Sequence, residues 1–312
     1  MDHQAWLIRF FKYCETNQIN PWEFDFKRFY TTDDDQSTPL ELWLKYRMSV
    51  LDAPQLENSI NKQLKAVFSQ LATKSHQTDP DKVALPFYTV LNWQKDAAAV
   101  TRGETMNSFK TTFTQALVKS KDYHKTLAAI QINPNKQLDQ QYAILLKNTN
   151  YQQFQLIQAH QSAIERYAQL THSIGNFTVL PYQLNIARGS SRNFRDYWDI
   201  TLQTLYDLFI SIGEAGVVAW KAFVEKYYLQ PFVNHDETYS VGALWHNHFN
   251  KPVYPTTSDD FKQFYHNVNL LIEIRGQWLT KQLCDTLQLK NLSFYSALDH
   301  QLKFFNEIEG IL

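Results

Sequence analysis

The residues that decide how this chain folds are 171–181, which read Thr-His-Ser-Ile-Gly-Asn-Phe-Thr-Val-Leu-Pro. Gly175 and Asn176 favour a sharp turn, because both tolerate backbone conformations that are closed to most residues. Phe177–Leu180 is the best strand candidate in the chain, and Pro181 ends it. Irregular backbone on a rigid scaffold is where binding and catalytic residues usually lie. Segment 171–181 is therefore the first candidate for a functional site.

On either side of this segment the chain has the pattern of helices. Apolar residues recur at three- and four-residue intervals, the 10 prolines fall between such stretches, and only 8 glycines occur. The fold class predicted is mainly α, a compact multi-helix bundle with a small β-turn or strand element near 174–181. We expect one mostly helical domain over residues 1–312, with a soft boundary near 72–85 or 131–137. The predicted helices cover about 3–17, 86–101, 104–119, 137–149, 151–171, 193–212, 214–229, 258–287 and 291–309.

The charge balance and the cysteines limit the classes of protein to which the chain can belong. Its 30 basic and 31 acidic side chains give a net charge of −1, so any contact with nucleic acid must come from a local patch. Cys14 and Cys284 fall in amphipathic stretches, which favours buried free thiols over a disulfide. No run approaches the ~20 apolar residues of a membrane span, and residues 1–14 do not resemble a signal peptide. We expect a cytoplasmic protein that does not enter a membrane.

A second polar stretch follows Pro181. After Asn185 come three arginines, with no acidic residue until Asp196. Guanidinium groups and the free N–H groups at the start of the next predicted helix both suit phosphate, so we expect a local anion site, with nucleic acid as one candidate partner. The residues expected around one polar pocket are His172, Asn176, Asn185, Arg188, Arg192, Asn193 and Asp196.

The run Ile174–Leu180, with Leu184-Asn185 and Asn193-Phe194 after it, resembles the distal half of the HNH-type nuclease domain found in GmrSD-like restriction enzymes. It is also similar to uncharacterised bacterial and phage-borne proteins in which such a block precedes a segment like Asp196–Asp199. The resemblance implies a ββα unit that holds one divalent metal, Mg²⁺ or Mn²⁺. Under it the catalytic residues would be His172, Asn185 and Asn193, and the phosphate-binding residues would be Asn176, Arg188, Arg192 and Arg195.

Three other groups of residues invite interpretation. Arg166 and His172 have an Arg-x5-His spacing similar to that of HEPN-type ribonucleases, although a histidine at a helix end often only bonds the last carbonyls. His235, Asp236, His246 and His248 could share a metal only from extended loops, and surface histidines are the alternative. Glu273 and Arg275 lie in a strongly apolar helix, where we expect a buried or interfacial ion pair, and Gly276 predicts the close approach of another element.

Two functional hypotheses follow from these patterns. In the first, the chain is a nucleic-acid-related protein of bacterial defence or mobile-element type, a divergent HNH-like nuclease with its arginines on phosphate. The histidine that this family carries on its first strand has no counterpart upstream of residue 171. In the second, the protein is a non-catalytic binding or regulatory protein and the turn at Ile174–Thr178 is architectural. Asn176 then caps a helix or turn, and Arg188 pairs with Asp196 or Asp199.

Overall fold

The computed structural model describes residues 2–26, 84–93, 104–105, 155–179, 197–245, 255 and 257–298. Helices make up 69% of this part of the chain and strands 3%, which confirms the mainly α prediction. Short 3₁₀ turns cover Pro21–Glu23, Ile174–Asn176 and Gln230–Phe232. The helices and strands are α1 (His3–Thr16), α2 (Ala84–Val90), β1 (Glu104–Thr105), α3 (Gln155–Leu170), β2 (Phe177–Thr178), α4 (Trp198–Ile210), α5 (Glu214–Lys226), α6 (Ser258–Thr286) and α7 (293–298).

Helix α6 packs against more of the other elements than any other helix in the described part of the chain. It begins with a capping box, in which the Thr257 side chain accepts from the Asp260 N–H and the Asp260 carboxylate accepts from the Thr257 N–H. Its buried residues occur all around the helix, as expected when several elements surround it. Helix α3 and the turns Ile174–Asn176 and Pro21–Glu23 make its most extensive contacts. The turn Ile174–Asn176 is thus placed against the helix that contacts the largest number of the described elements.

The small β element is an antiparallel pair between β1 and β2. Thr178 lies opposite Glu104, and Phe177 lies opposite Thr105. The strand expected at 177–180 is therefore present at its first two residues. The helix expected over 104–119 is wrong at residues 104–105, because pairing with a strand distant in sequence outweighs a weak local preference, and the rest of that range lies outside the described residues.

Helix α2 is shorter than the 86–101 predicted for it. Its last residue is Val90, and Asn92 then takes a left-handed conformation with φ 59°. The Trp93 N–H bonds the Tyr88 carbonyl at 2.9 Å, and the Leu91 N–H bonds the Phe87 carbonyl at 2.9 Å. An asparagine in this conformation ends a helix. The predicted helix 137–149 and the boundary at 131–137 lie outside the described residues, as does 72–85 except for the first two residues of α2.

Much of the core is aromatic. The rings of Phe10 and Phe87 are 6.1 Å apart and nearly perpendicular, and Phe26 lies 6.0 Å from Phe177 of β2. The edge-to-face contact between Phe10 and Phe87 adds to the stability that apolar burial alone provides. One continuous cluster of buried apolar side chains includes members from α1, α3, α4, α5 and α6.

The two cysteines are buried and free, as predicted. Burial, and to a lesser extent the proximity of Cys284, raises the pKa of Cys14 well above its ordinary range, and burial raises the pKa of Cys284 to about 12. Both groups are thus neutral thiols, which are poor nucleophiles. In the part of the chain that the structure describes, none of the helices combines the length and the apolar character needed to cross a lipid bilayer.

Candidate functional site

Segment 171–179 is held in its turn by its own polar side chains. The Thr171 hydroxyl donates to the Tyr167 carbonyl at 2.7 Å, and the Ser173 hydroxyl donates to the Leu170 carbonyl at 2.8 Å. These bonds satisfy carbonyls at the end of α3 that have no partner within the helix. The Asn176 amide nitrogen then donates to the Thr171 carbonyl at 2.8 Å and closes the turn. Residues 171–179 are all buried.

Gly175 is required by close packing against α6. A Cβ on Gly175 would lie 1.9 Å from the Ile272 carbonyl oxygen and 2.9 Å from the Gly276 nitrogen. Our expectation of an unusual backbone conformation was wrong, since Gly213 is the one glycine with positive φ among those described. The close approach predicted for Gly276 is confirmed, because a Cβ there would meet Trp22 Cβ at 2.9 Å and the Gly175 nitrogen at 3.4 Å. Two glycines therefore let the turn touch the helix backbone.

Asn176 links the turn to α4 through the first residue of that helix. Its Oδ1 accepts a hydrogen bond from Trp198 Nε1 at 2.9 Å, and both residues are completely buried. The Trp198 ring also stacks on Phe232 with centroids 4.3 Å apart. Both ends of the Asn176 amide are thus engaged within the protein. The architectural hypothesis predicted that Asn176 caps a helix or a turn. The Asn176 amide does close the turn by bonding the Thr171 carbonyl, and its second partner is the indole of Trp198.

Arg275 is completely buried beside this turn, and its guanidinium is bonded by backbone carbonyls. Nη1 donates to the carbonyls of Gly175 and Phe177, each at 2.7 Å. Nη2 donates to the Tyr227 carbonyl at 3.0 Å, and Nε donates to the Tyr228 carbonyl at 3.0 Å. The guanidinium also lies 5.2 Å from the centre of the Trp198 ring, so a cation–π contact adds to these bonds.

The expected ion pair involving Glu273 and Arg275 divides between two places. Among the residues that the structure describes, no carboxylate forms an ion pair with Arg275, and burial lowers its pKa to about 9. The carbonyl dipoles stabilise the charge instead. Glu273 does join α6 to another helix, because its carboxylate accepts from Arg166 of α3 at 2.7 Å. The interfacial ion pair is therefore present, but its cation is Arg166.

Arg166 forms a second ion pair with Glu23 of the turn Pro21–Glu23. Burial would lower the pKa of Arg166, but the bonds to Glu273 and Glu23 outweigh it and raise the pKa above its ordinary value. Arg166 is partly exposed, whereas the His172 side chain has no exposed surface. The arginine is occupied and the histidine is inaccessible, so this conformation does not present the pair to RNA as cleavage would require.

The structure describes two members of the predicted pocket, His172 and Asn176, and both lie in the core. The Phe26 N–H donates to the His172 carbonyl at 3.2 Å, which joins the turn to the segment after α1. The other predicted members lie outside the described residues and remain predictions. These are Asn185, Arg188, Arg192, Asn193 and Asp196, and Arg195, which was predicted to bind phosphate, also lies outside the described residues.

The N-terminus of α4, where we expected phosphate, already has a carboxylate. The helix begins at Trp198 rather than near residue 193, and Asp199 is buried in its first turn. Asp199 Oδ1 accepts from the Ile200 N–H and Oδ2 accepts from the Leu244 N–H, each at 2.9 Å. A carboxylate at this position offsets the positive end of the helix dipole. An anion bound here would be repelled by Asp199.

In the candidate metal group near His235, the carboxylate of Asp236 is already engaged in hydrogen bonds within its own loop. His235 is exposed, and the Asp236 carboxylate accepts from the backbone N–H and the hydroxyl of both Thr238 and Ser240. The largest single influence, burial, would raise the pKa of Asp236, but these bonds together lower it to about 2. His246 and His248 lie outside the described residues. Within the part of the chain described here, no three potential metal ligands come together.

Sequence reasoning missed the partners that give the turn its setting. Glu23 and Arg166 are 143 residues apart, and Arg275 is 100 residues from Gly175. One signal in the sequence indicated these contacts, the pair Arg275-Gly276 inside an apolar helix. A charged residue there must find buried partners, and the glycine next to it permits another element to approach closely. No protein-family model, curated protein or solved structure matches this chain.

Proposed function

We propose that the protein is a non-catalytic binding or regulatory protein and that the turn Ile174–Thr178 is an architectural joint between helical layers. The observation that carries the proposal is the position of His172 and Asn176. Both side chains are completely buried, and the Asn176 amide bonds Thr171 and Trp198. A catalytic base or a phosphate ligand must reach its substrate, and these two groups have no path to one in this conformation.

The charges around the joint support the same proposal. Arg275 is surrounded by the carbonyls of the turn, and Asp199 occupies the N-terminus of α4. Neither is placed to recognise a phosphate, because the guanidinium is buried and bonded to backbone carbonyls, and the helix end already carries a negative charge. The free buried thiols of Cys14 and Cys284 suit a reducing compartment. We accordingly propose a cytoplasmic protein of bacterial or phage type.

A nucleic-acid-related function is the second candidate. It is favoured by Arg188, Arg192 and Arg195, which follow one another with no acidic residue among them. Such a cluster can contact phosphates even in a chain of nearly neutral net charge. In the catalytic form of this hypothesis, a divergent HNH-like nuclease would use Asn185 and Asn193 with Mg²⁺ or Mn²⁺.

A nuclease assay distinguishes these candidates. The purified chain is incubated with single- and double-stranded DNA and RNA, with Mg²⁺, with Mn²⁺ and with a chelator. We expect no cleavage above background from the wild type, from Asn185→Ala or from the surface control Gln4→Ala. Metal-dependent cleavage that is lost in Asn185→Ala and kept in Gln4→Ala would overturn the non-catalytic proposal. His172→Ala is included with circular dichroism, because its burial makes a folding defect the expected result.

Non-catalytic binding of nucleic acid is tested by salt titration. The affinity for a fluorescent oligonucleotide is compared between the wild type and the triple variant Arg188→Ala, Arg192→Ala, Arg195→Ala. If these arginines contact phosphates, log K falls linearly with log salt, and each lost contact reduces the slope by roughly 0.9 on double-stranded DNA. Equal slopes in the two proteins would remove this second candidate.

A further inference from the structure

Among the residues that the structure describes, the exposed large apolar side chains all belong to one helical hairpin. Leu208 is 60% exposed, Ile212 is 68% exposed and Val218 is 69% exposed, and all three belong to α4, α5 or the turn between them. Exposed apolar residues scattered singly need no explanation, but a cluster of them marks an interaction surface. The hairpin formed by α4 and α5 is therefore the part of the described surface that most needs a partner.

The exposed face of α5 continues this apolar surface. Ala215, Val218, Ala219 and Ala222 are all exposed and follow one another at helical spacing, so they form one stripe. The opposite face of the helix is the buried one and includes Trp220. Helix α5 thus has one apolar face inside the fold and a second that the described part of the chain leaves open to solvent.

The hairpin is also a rigid platform. A Cβ on Gly216 would lie 1.8 Å from the Phe209 carbonyl oxygen, so α4 and α5 touch backbone to backbone. The Phe209 ring packs against Trp220 with centroids 5.8 Å apart, and the Trp220 indole donates to the Tyr239 carbonyl at 2.8 Å. A partner would thus meet a surface whose shape is already set, at a small cost in conformational entropy.

Opposite charges lie along one edge of this stripe. Glu214 and Lys221 are seven residues apart, so they occupy the same edge of the helix on successive turns. Neither forms an ion pair with another residue that the structure describes, and the Lys221 amine lies 5.0 Å from the centre of the Tyr239 ring. An acid and a base that occupy equivalent positions and lack ionic partners are complementary to a second copy of the same edge.

We propose that the stripe Ala215, Val218, Ala219 and Ala222 binds a second copy of itself, with the two α5 helices antiparallel about a twofold axis. Such an axis keeps each edge of the helix on its own side of the pair, so equal edges face each other. Glu214 of each copy then meets Lys221 of the other. In a parallel pair opposite edges face each other, and Lys221 would lie near Lys226 of the second copy.

The small side chains of the stripe suit this arrangement. Alanines at the contact let two helices approach to the short end of the usual interaxial range, about 8 Å. At that distance Val218 lies against the alanines of the other copy near the twofold axis, and the charged residues at the edge remain reachable by solvent. Ile212 precedes the stripe in the turn before α5, and Leu208 is exposed on the neighbouring helix α4.

The proposal is tested by measuring the mass of the full-length protein over a concentration series by sedimentation and light scattering. We expect a reversible dimer for the wild type and a monomer for Val218→Glu, because the new carboxylates would be buried near the twofold axis. Val218 is exposed on the helix, so the circular dichroism spectrum of the variant should be unchanged. Its Tm should equal that of the wild type at concentrations where both are monomeric, and only the Tm of the wild type should rise with concentration. A wild type that stays monomeric throughout, or a Val218→Glu variant that still dimerises, would overturn the proposal.

A charge exchange tests the antiparallel arrangement itself. Glu214→Lys or Lys221→Glu alone replaces two attractive pairs with two repulsive ones, so each should weaken the dimer roughly tenfold. The double variant Glu214→Lys, Lys221→Glu restores both pairs and should return the dissociation constant close to that of the wild type. The losses should shrink at high salt. If the double variant is as weak as the singles, this pairing of Glu214 with Lys221 is wrong.

Discussion

Arg275 of α6 and Arg166 of α3, which contacts α6, are stabilised by different kinds of group. Arg275 is completely buried and bonds the carbonyls of the turn at Gly175 and of the chain after α5. Arg166 is partly exposed and bonds the carboxylates of Glu23 and Glu273. The charge of Arg275 is stabilised by backbone dipoles whose positions are fixed. The charge of Arg166 is neutralised by two carboxylates that are themselves partly exposed to solvent.

The difference shows which charge determines the shape of the molecule. Carbonyl groups can surround a guanidinium only if the backbone that carries them is correctly placed, so Arg275 demands one arrangement of the turn and of the α5 end. Side-chain carboxylates can follow a moving arginine, so the Arg166 pairs tolerate small shifts and contribute little each. The stability of the joint should therefore depend on Arg275 and on the packing that admits it.

The largest expected effect comes from breaking the packing on the buried side. In Gly175→Ala the new methyl group would lie 1.9 Å from the Ile272 carbonyl oxygen, which belongs to helix backbone and cannot move aside. We expect the free energy of unfolding to fall by more than about 4 kcal/mol. Urea denaturation followed by tryptophan fluorescence measures this change.

Gly213→Ala is the matched control for this prediction. Its φ is 81°, and a Cβ there would meet no atom within 4 Å. Because its ψ is −151°, Gly213 lies in a backbone region that is almost restricted to glycine, so the substitution should cost about 2 kcal/mol from backbone strain alone. If the two variants are equally stable, close packing at Gly175 is not what holds the turn on α6.

Removal of the buried charge is expected to have the next largest effect. Arg275→Met keeps an apolar stem of similar length but leaves the carbonyls of Gly175, Phe177, Tyr227 and Tyr228 without this donor. We expect a loss of about 3 kcal/mol, because unpaired buried acceptors are costly while removal of a buried charge recovers part of that cost. The loss should be nearly independent of salt. A neutral or stabilising Arg275→Met would show that the carbonyls do not depend on the guanidinium.

A smaller effect is expected on the exposed side of the comparison. Arg166→Met removes the ion pairs with Glu23 and Glu273, whose side chains are 26% and 30% exposed. We expect a loss of about 1 kcal/mol that decreases as salt is added, since solvent and counterions screen these pairs. Glu273→Gln serves as the control that breaks one pair only. A salt-independent loss as large as that of Arg275→Met would erase the distinction between the two arginines.

The smallest effect on stability is expected at Asp236. This exposed carboxylate accepts several hydrogen bonds, whereas the buried Arg275 donates several. The donors to Asp236 lower its pKa from 3.8 to about 2. Because the folded-state pKa lies below the unfolded value, the stabilisation is complete above pH 3.8 and is lost as the pH falls through about 2. A carboxyl-carbon NMR titration should give the low value. The slope of stability against pH in this window should shrink in Asp236→Asn, and an Asp236 that titrates near 3.8 would contradict the prediction.

The parts that sequence reasoning predicted correctly are those that depend on neighbouring residues. Helix α6 was expected at 258–287 and spans Ser258–Thr286, because apolar periodicity and acidic residues in the first turn are local signals. The strand after Gly175-Asn176 and the close approach at Gly276 were expected for the same reason. The helix proposed over 86–101 is present as α2 but ends at Val90, because Asn92 takes a left-handed conformation. Asparagine tolerates this conformation but does not always adopt it, so the sequence alone does not predict the end of the helix.

The candidate site was predicted less well, because its meaning depends on burial. His172, Asn176 and a neighbouring arginine look alike in sequence whether they line a pocket or fill a core. The structure places His172 and Asn176 in the core. The Asn176 side chain accepts a hydrogen bond there from Trp198, which is 22 residues away in the chain. Periodicity cannot reveal such a pairing, since it reports which face of an element is apolar and not what lies opposite.

The sequence by itself determined that the described part of this protein is built mainly of helices and where most of these helices begin and end. It also determined that a turn and a short strand, Phe177–Thr178, interrupt them. Local sterics and hydrophobic periodicity are enough for that. Only the tertiary structure decided that Glu15 of α1 would cap α7, 278 residues later in the chain, and that backbone carbonyls would surround Arg275. Those outcomes depend on which surfaces pack together, because a buried polar group must take its partners from whatever element lies opposite.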